Sequence, residues 1–201
     1  LQLGLAGAGR LLWAFIFLCV VIELTLLLLP GLRMPIYGLG AFWADLLMGG
    51  RPVYAAQPAT MFVTYSVLHG GFEHLMGNMV MLYILGRQLR AVMGQGAMVL
   101  CFGAGVLGGA AGFALLNTSH LPMVGASGAV FGLAGALLAG EWWAFRRVGR
   151  VAWHVMRMML LLLVLKVLLF VWFDGQLAWE AHLGGAIAGG LAGWAVMAWR
   201  P

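Results

Sequence analysis

Four polar residues stand near the start of three separate apolar segments, where polar side chains are expensive to keep. His74 and Asn78 open one segment, Ser127 follows Gly125-Ala126 at another, and His182 opens the last. A charged group at the centre of a membrane helix costs roughly 3 kcal/mol, so polar groups retained in such segments are candidates for function. A serine hydroxyl beside an imidazole is a nucleophile with its general base. We therefore interpret these residues as a candidate acyl-transfer site.

Such a site also needs hydrogen-bond donors that stabilise the oxyanion of a tetrahedral intermediate. His74 and Asn78 are four residues apart, so their side chains project from one face of a helix. The backbone N–H groups around Ser127 are further donors, because the first N–H groups of a helix have no partner within it. The sequence thus contains a nucleophile, a base and an oxyanion site.

Glycines could bring the serine and histidine segments together. Two rows at intervals of four follow the two residues, with Gly128 and Gly132 in the first and Gly185, Gly189 and Gly193 in the second. Rows of small residues let two helix backbones approach closely, which would place the Ser127 hydroxyl within hydrogen-bond reach of the His182 ring. Asp174 and Glu180 are near His182 in sequence, but nothing aims either carboxylate at the ring. We therefore predict a dyad rather than a triad.

The composition places these segments in a membrane. Of 201 residues, 11 are Lys or Arg and 6 are Asp or Glu, and 64% are hydrophobic; the mean hydropathy is +1.01. Globular proteins contain about 25% charged residues, so a soluble enzyme, a disordered chain and a secreted disulfide scaffold are excluded. Cys19 and Cys101 lie in apolar stretches and imply no disulfide framework. The net charge of +5 comes from arginines between apolar runs, so no nucleic-acid partner is expected.

The apolar runs predict six membrane-spanning helices in a single domain, residues 1–201. Residues 91–140 contain no Asp, Glu, Lys or Arg, and one helix of that length would be ~75 Å long, so the chain must fold back at the polar segment 117–122. Residues 30–60 are predicted to form a long external loop, partly embedded in the membrane. The predicted spans are 11–29, 71–89, 95–115, 126–142, 154–173 and 182–199.

The arginines predict the orientation, because positive residues stay on the cytoplasmic side in short loops. With the amino terminus inside, eight arginines are cytoplasmic and Arg33 and Arg51 are external. Both termini are therefore predicted to be cytoplasmic, and the second, fourth and sixth spans begin at the external face. The polar residues then share one depth and open to the external or periplasmic side of an inner membrane.

Several other polar residues have simpler explanations. His120 and His154 are typical of histidines that hydrogen-bond between helices or lie at the membrane interface. His69 does not share a helix face with the histidine five residues later and is expected to support the loop. Glu23 and Lys166 stand mid-span, where snorkelling or an internal polar contact accounts for each.

These residues in this order resemble the rhomboid family of intramembrane serine proteases. The similarity runs from about Thr60 to Gly193. It rests on the motifs His69-x4-His74-x3-Asn78, Gly125-Ala-Ser127-Gly128-Ala-Val-Phe131-Gly132, Trp172-Phe173-Asp174 and Ala181-His182-x2-Gly185-x3-Gly189.

The resemblance implies an all-α, six-helix rhomboid bundle with Ser127 as nucleophile and His182 as base. It implies that Phe131 stacks against His182. Family members cleave transmembrane segments of other membrane proteins, usually after a small residue near the outer face, and need no cofactor. The implied oxyanion and substrate-binding groups are His74, Asn78, Gly125, Ala126 and the backbone of Ser127, with Gly128, Gly185 and Gly189 as supporting residues.

The sequence departs from the family pattern at two places. Many members have a Trp-Arg pair in the first loop, where this chain has Phe42-Trp43 and, separately, Arg51. Many also have a glutamate four residues before a glycine after the second span, where here Arg90 precedes Gly94. Both places lie away from the predicted chemistry, so they bear on loop support and stability.

We thus predict an inner-membrane serine endopeptidase with no metal or cofactor, whose partners are transmembrane substrates and the lipid bilayer. One alternative is a rhomboid-like binding or quality-control protein without turnover. A transporter would need polar residues at mid-depth on several helices and an internal repeat, and neither is convincing. A zinc protease is disfavoured because 69–74 does not read H-E-x-x-H and its two histidines share no helical face.

Overall fold

The computed structural model describes residues 9–148, residue 157 and residues 178–199. These residues form a bundle of helices, and no β-strand occurs among them beyond one isolated antiparallel bridge between Phe42 and Met123. The prediction of an all-helical chain is confirmed for this part. The helices are α1 (Arg10–Leu28), α2 (Arg33–Gly40), α3 (Gln57–Thr64), α4 (Phe72–Met93), α5 (Gln95–Leu116), α6 (Ser127–Val148) and α7 (Trp179–Ala198).

Three of the described helices, α1, α5 and α7, are long and apolar enough to cross a membrane. Their outer faces expose large apolar side chains, such as Phe17 on α1 and Leu191 on α7. Such faces suit lipid, where an apolar side chain needs no water-facing partner. The predicted fifth span, 154–173, lies outside the described residues, so the count of six stays a prediction.

The long helices extend past the predicted spans at three ends. α4 ends at Met93, four residues beyond the predicted 89, and α6 ends at Val148, six beyond the predicted 142. α7 begins at Trp179, three residues before the predicted 182. Hydropathy locates the apolar part of a helix, whereas the hydrogen-bonded ladder continues until a breaker stops it. For α4 that breaker is Gly94, with φ 88°.

α5, α6 and α7 pack backbone against backbone through their glycines. A Cβ added to Gly185 would overlap the carbonyl oxygen of Gly128, and one added to Gly189 would overlap that of Gly132. The paired residue numbers rise together, so α6 and α7 run parallel and begin at the same end of the bundle. Gly105 of α5 also packs against α6, since its Cβ would lie 2.8 Å from the Gly128 carbonyl oxygen.

α4 runs in the same direction as α6. A Cβ on Gly125 would lie 2.8 Å from Cε1 of His74 near the start of α4, and one on Gly86 would lie 3.7 Å from Cδ1 of Leu133 further along α6. α1 runs in the opposite direction, because Leu12 at its beginning contacts Gly86. The second, fourth and last of the predicted spans therefore begin together at one end.

The predicted loop 30–60 contains more helix than the sequence suggested, and the connection continues to Gly71. Besides α2 and the start of α3, it holds 3₁₀ turns at Pro30–Leu32 and Ala44–Met48. Prolines and glycines mark these turns, and side-chain contacts of Gln57 join the start of α3 to α2 and to the segment between them. The Gln57 amide donates to the Gly38 carbonyl at 2.6 Å, and the Val53 N–H donates to Gln57 Oε1 at 2.7 Å.

The chain folds back between α5 and α6 at the polar segment 117–122, and side chains cap this connection. The Ser119 N–H donates to Asn117 Oδ1 at 3.0 Å, and the Leu121 N–H donates to Ser119 Oγ at 3.1 Å. Met123 then exchanges two backbone hydrogen bonds with Phe42, at 3.0 and 2.9 Å. The turn that leads into α6 is therefore tied to the first loop.

Candidate active site

His182 lies in the first turn of α7 and is buried, with 5% of its surface exposed. The ring of Phe131, one turn into α6, stacks on it with the centroids 4.4 Å apart and the planes 14° from parallel. This contact fixes the plane of the imidazole, because the stacked ring blocks rotation towards α6. The close approach of Gly128 and Gly185 fixes the separation of the two helices beside it.

Ser127 is the first residue of α6 and is partly buried. The Val130 N–H donates to the Ala126 carbonyl at 3.1 Å, so the first turn begins here and the Ser127 N–H has no partner within the helix. Ser127 and His182 both stand at the start of adjacent parallel helices, and these helices meet through the two glycine rows. The hydrogen bond between the hydroxyl and the imidazole stays a prediction.

His74 and Asn78 lie on one face of α4 and point at Gly125. A Cβ on Gly125 would lie 2.9 Å from His74 Nε2 and 3.7 Å from Asn78 Nδ2. Gly125 has φ 126°, a conformation that favours glycine. Both this backbone angle and the nearby His74 ring therefore exclude a side chain at this position. The Gly70 N–H donates to His74 Nδ1 at 3.3 Å, which leaves Nε2 to carry the hydrogen of the neutral ring. A ring N–H and an amide thus flank the backbone just before Ser127.

His69 is fully buried behind His74, and the two rings meet edge to face at 5.4 Å. The Ala126 N–H donates to His69 Nε2 at 3.5 Å, so this ring contacts the backbone just before Ser127, whereas the sequence predicted only that it supports the loop. Burial, and then the neighbouring His74, lower the pKa of His69 to about 3, against a weaker opposing effect of a backbone hydrogen bond at Val67. Because the ring is neutral, its Nε2 can accept the hydrogen bond from the Ala126 N–H.

Two of the backbone donors near the serine are thus already engaged. The Ala126 N–H, an implied oxyanion donor, faces His69, and the Gly125 N–H donates to the Tyr65 carbonyl at 3.0 Å. The Tyr65 hydroxyl donates to the Val106 carbonyl at 2.8 Å and is buried between α5 and α6. Sequence reasoning missed Tyr65, because no local pattern marks a residue whose partners are so distant along the chain.

Glu23 makes an internal polar contact, one of the two explanations that the sequence offered. Arg33 Nη2 lies 2.7 Å from Glu23 Oε1, and the carboxylate side chain is fully buried whereas the guanidinium is 24% exposed. The same guanidinium donates to the His69 carbonyl at 3.0 Å. Lys166, His154 and Asp174 lie outside the described residues.

Two other polar residues noted in the sequence, His120 and Glu180, make no described contact with this cluster. His120 is exposed and its Nδ1 lies 3.2 Å from the Asp45 carboxylate, so it joins the turn after α5 to the first loop. Glu180 lies in the first turn of α7 and is 8% exposed. No group of three or more His, Cys, Asp or Glu in the described part of the chain could hold a metal ion.

Comparison with known proteins identifies the family. Residues 56–199, more than two thirds of the chain, match the family model of the Rhomboid domain. The chain belongs to the rhomboid family. The recognition made from the sequence motifs is therefore confirmed, and the protein is an integral membrane protein.

Rhomboid relatives from distant organisms are similar to this chain. RHOMBOID-like protein 5 of Arabidopsis thaliana is 34% identical over 137 residues, which cover 65% of this chain and 41% of that protein. The putative rhomboid protease YdcA of Bacillus subtilis (strain 168) is 27% identical over 148 residues, which cover 73% of this chain and 72% of that protein. The chain spans 49% of the length of the mouse Rhomboid-related protein 2, at 29% identity over 149 residues.

The rhomboid match includes every predicted site residue and leaves α1 and α2 outside it. Within the matched segment lie the serine, the histidines of the site, the amide and the glycines that join α6 to α7. The ion pair of Glu23 and Arg33 therefore lies in the part of the chain that the rhomboid match does not cover.

Proposed function

We propose that this rhomboid protein is an intramembrane serine endopeptidase that cleaves transmembrane segments of other membrane proteins. Ser127 is the nucleophile and His182 the general base. One observation carries the proposal: Phe131 stacks on His182 across an α6–α7 contact in which Gly185 meets Gly128, the residue after Ser127. A histidine oriented in this way beside a serine is the arrangement that activates a hydroxyl.

In the proposed reaction, Ser127 Oγ attacks the carbonyl carbon of the substrate and His182 takes the hydroxyl proton. The oxyanion is stabilised by the His74 Nε2–H, the Asn78 amide and the Ser127 N–H. His182 then gives the proton to the departing amine, which leaves an acyl ester on Ser127. Water, deprotonated by His182, hydrolyses that ester and restores the hydroxyl.

The site needs both water and an unwound substrate. The carbonyl groups of an intact helix are hydrogen-bonded internally, so a substrate segment must enter laterally and open locally before attack. The apolar runs support six spans in an inner membrane, and the arginine distribution supports cytoplasmic termini and a site open to the external or periplasmic side. That side supplies the water for deacylation.

A rhomboid-like binding or quality-control protein without turnover is the second candidate. It is favoured by the contact of the Ala126 N–H with His69, which engages one of the implied oxyanion donors. Such a protein would hold membrane segments in the same bundle and would not react with an active-site reagent.

The decisive experiment compares the parent protein with Ser127→Ala and His182→Ala in lipid vesicles that contain a transmembrane substrate. A fluorophosphonate probe should label the parent and not Ser127→Ala, and cleavage should fall by at least about 10³-fold in both variants. Ser119→Ala, which changes an exposed serine in the turn after α5, serves as the matched control and should behave like the parent. Equal product from all four proteins would refute the protease; substrate binding without labelling of the parent would favour the second candidate.

A further inference from the structure

A buried ion pair outside the rhomboid match reaches the site through a backbone carbonyl. Glu23 on α1 is fully buried and forms an ion pair with Arg33. Arg33 Nη2 lies 2.7 Å from Glu23 Oε1, and Arg33 Nη1 lies 3.4 Å from Glu23 Oε2. A buried carboxylate is costly, so it is kept only where a geometrically good partner offsets the lost hydration. The forked contact provides that partner, and its hydrogen bond raises the pKa of Arg33.

The guanidinium also donates beyond the ion pair. Arg33 Nη1 donates to the His69 carbonyl at 3.0 Å and to the Tyr37 hydroxyl at 3.1 Å. The Tyr37 hydroxyl donates in turn to the same His69 carbonyl. One backbone oxygen therefore accepts two hydrogen bonds from the segment that follows α1, although it lies 36 residues further along the chain than Arg33.

The His69 residue transmits this anchoring to the site. Its carbonyl is held by Arg33 and Tyr37 on one side, and its ring contacts His74 and the Ala126 N–H on the other. Because His69 is fully buried, a shift of its backbone would move its ring against both neighbours. His74 Nε2 and the backbone before the serine would then move relative to each other.

We propose that Arg33, held by Glu23, is a positioning residue that fixes the His69 segment and thereby aims the oxyanion donors of the site. The inference rests on the proposed proteolytic function and extends it to residues outside the rhomboid match. An arginine is required because its planar fork can serve a carboxylate and a carbonyl at once, whereas a lysine offers one point charge.

The test compares two variants with the parent in lipid vesicles. Arg33→Lys keeps the charge beside Glu23 but loses the fork, and Tyr37→Phe keeps the ion pair but removes one donor to the His69 carbonyl. Arg51→Lys, which changes an exposed arginine of the same loop, is the matched control. Fluorophosphonate titration counts the active sites, and kcat per site and KM are then measured separately for a transmembrane substrate.

Misaligned donors lower turnover without weakening substrate binding. We expect kcat per titrated site to fall about 100-fold in Arg33→Lys and about tenfold in Tyr37→Phe, with KM changed less than about twofold, since a displacement of about 1 Å can cost 10²-fold. Arg51→Lys should match the parent in both constants.

The outcomes separate the two proposals. If the parent is labelled and cleaves, but Tyr37→Phe and Arg33→Lys keep the parental kcat per site, the positioning role is overturned and the protease stands. Fewer titratable sites with an unchanged kcat per site would show a purely structural ion pair and also overturn it. A parent that neither labels nor cleaves would overturn the proposed function and this inference together. If Arg33→Lys does not fold, Tyr37→Phe alone decides.

Discussion

The two sides of the candidate site are built differently. On the side of Ser127 and His182, α6 and α7 meet through glycine backbones, with Gly185 against Gly128 and the next pair one turn further along. On the side of His74, side chains hold the segment that leads into α4: Arg33 of α2 pairs with Glu23 of α1 and donates to the His69 carbonyl. One side is fixed by the absence of side-chain atoms, the other by specific polar contacts.

The two kinds of contact should respond differently to substitution. Where two backbones touch, an added methyl group has no flexible neighbour to displace, so the helices must separate. Where side chains make the connection, losing one contact leaves the others in place and the cost is graded. We therefore expect the largest loss of stability at the glycine contacts and the smallest at exposed side-chain contacts.

The glycine contact between α6 and α7 should tolerate no side chain. Gly189→Ala would drive a Cβ into the carbonyl oxygen of Gly132, and we expect a loss of about 3 kcal/mol in the free energy of unfolding. Gly190→Ala is the matched control, because its Cβ would lie 3.5 Å from the nearest atom, the Gly135 carbonyl oxygen, and should be neutral or slightly stabilising. Detergent-based unfolding titrations measure both; equal stability of the two variants would contradict the backbone contact.

The free energy of unfolding should fall in acid because His69, on the His74 side of the site, is buried as a neutral ring. Its folded-state pKa of about 3 lies below the ordinary 6.5, so the unfolded chain binds the proton more readily. The stability that a neutral His69 contributes is present above pH 6.5 and is lost as the pH falls towards 3, by about 2 kcal/mol at pH 5. His69→Gln should lose less stability than the parent between pH 7 and 5. Parallel curves for the parent and His69→Gln would rule out a buried neutral His69.

The aromatic ring on His182 should matter more to turnover than to stability. Phe131→Leu keeps apolar volume but removes the stacked face, so we expect a loss of about 1 kcal/mol in unfolding free energy and a roughly tenfold slower reaction with fluorophosphonate. Phe102→Leu removes an edge-to-face contact with Phe15, 4.9 Å between centroids, at a different interface. It should show the stability loss with an unchanged labelling rate. Equal slowing in both variants would mean that the stacking has no orienting role.

The exposed contact between the first loop and the turn after α5 should contribute least. His120 and Asp45 are 89% and 56% exposed at the side chain, so Asp45→Asn should change the unfolding free energy by no more than about 0.5 kcal/mol. Raising the salt concentration should shrink even that difference, because exposed charges are screened. A loss above about 1 kcal/mol, unaffected by salt, would show that this contact is part of the framework.

Local patterns were enough for much of the fold and for choosing the candidate site residues. The pair His74 and Asn78 was found from its helical spacing, and the serine and histidine from their places at the start of apolar segments. Hydropathy placed the centres of the long helices but missed the ends of α4, α6 and α7, because a helix ends at a breaker rather than at the limit of its apolar part.

Contacts between distant parts of the chain were not predictable in this way. Nothing near Arg33 indicates that it meets the His69 carbonyl, and nothing near Tyr65 indicates Val106, 41 residues away. The short helices of the first loop were missed for the same reason, since contacts such as Gln57 to Gly38 hold them rather than a periodic apolar face.

The sequence alone determined that this chain lies in a membrane and that it carries a serine, two histidines and an amide at the beginnings of helices, because hydropathy and spacing are properties of neighbouring residues. The tertiary structure alone decided that the Ala126 N–H faces His69 and that Glu23 is paired with Arg33. Those facts depend on how closely glycine lets the helices approach and on the path of the loop between them, and neither is determined by any local segment of the chain.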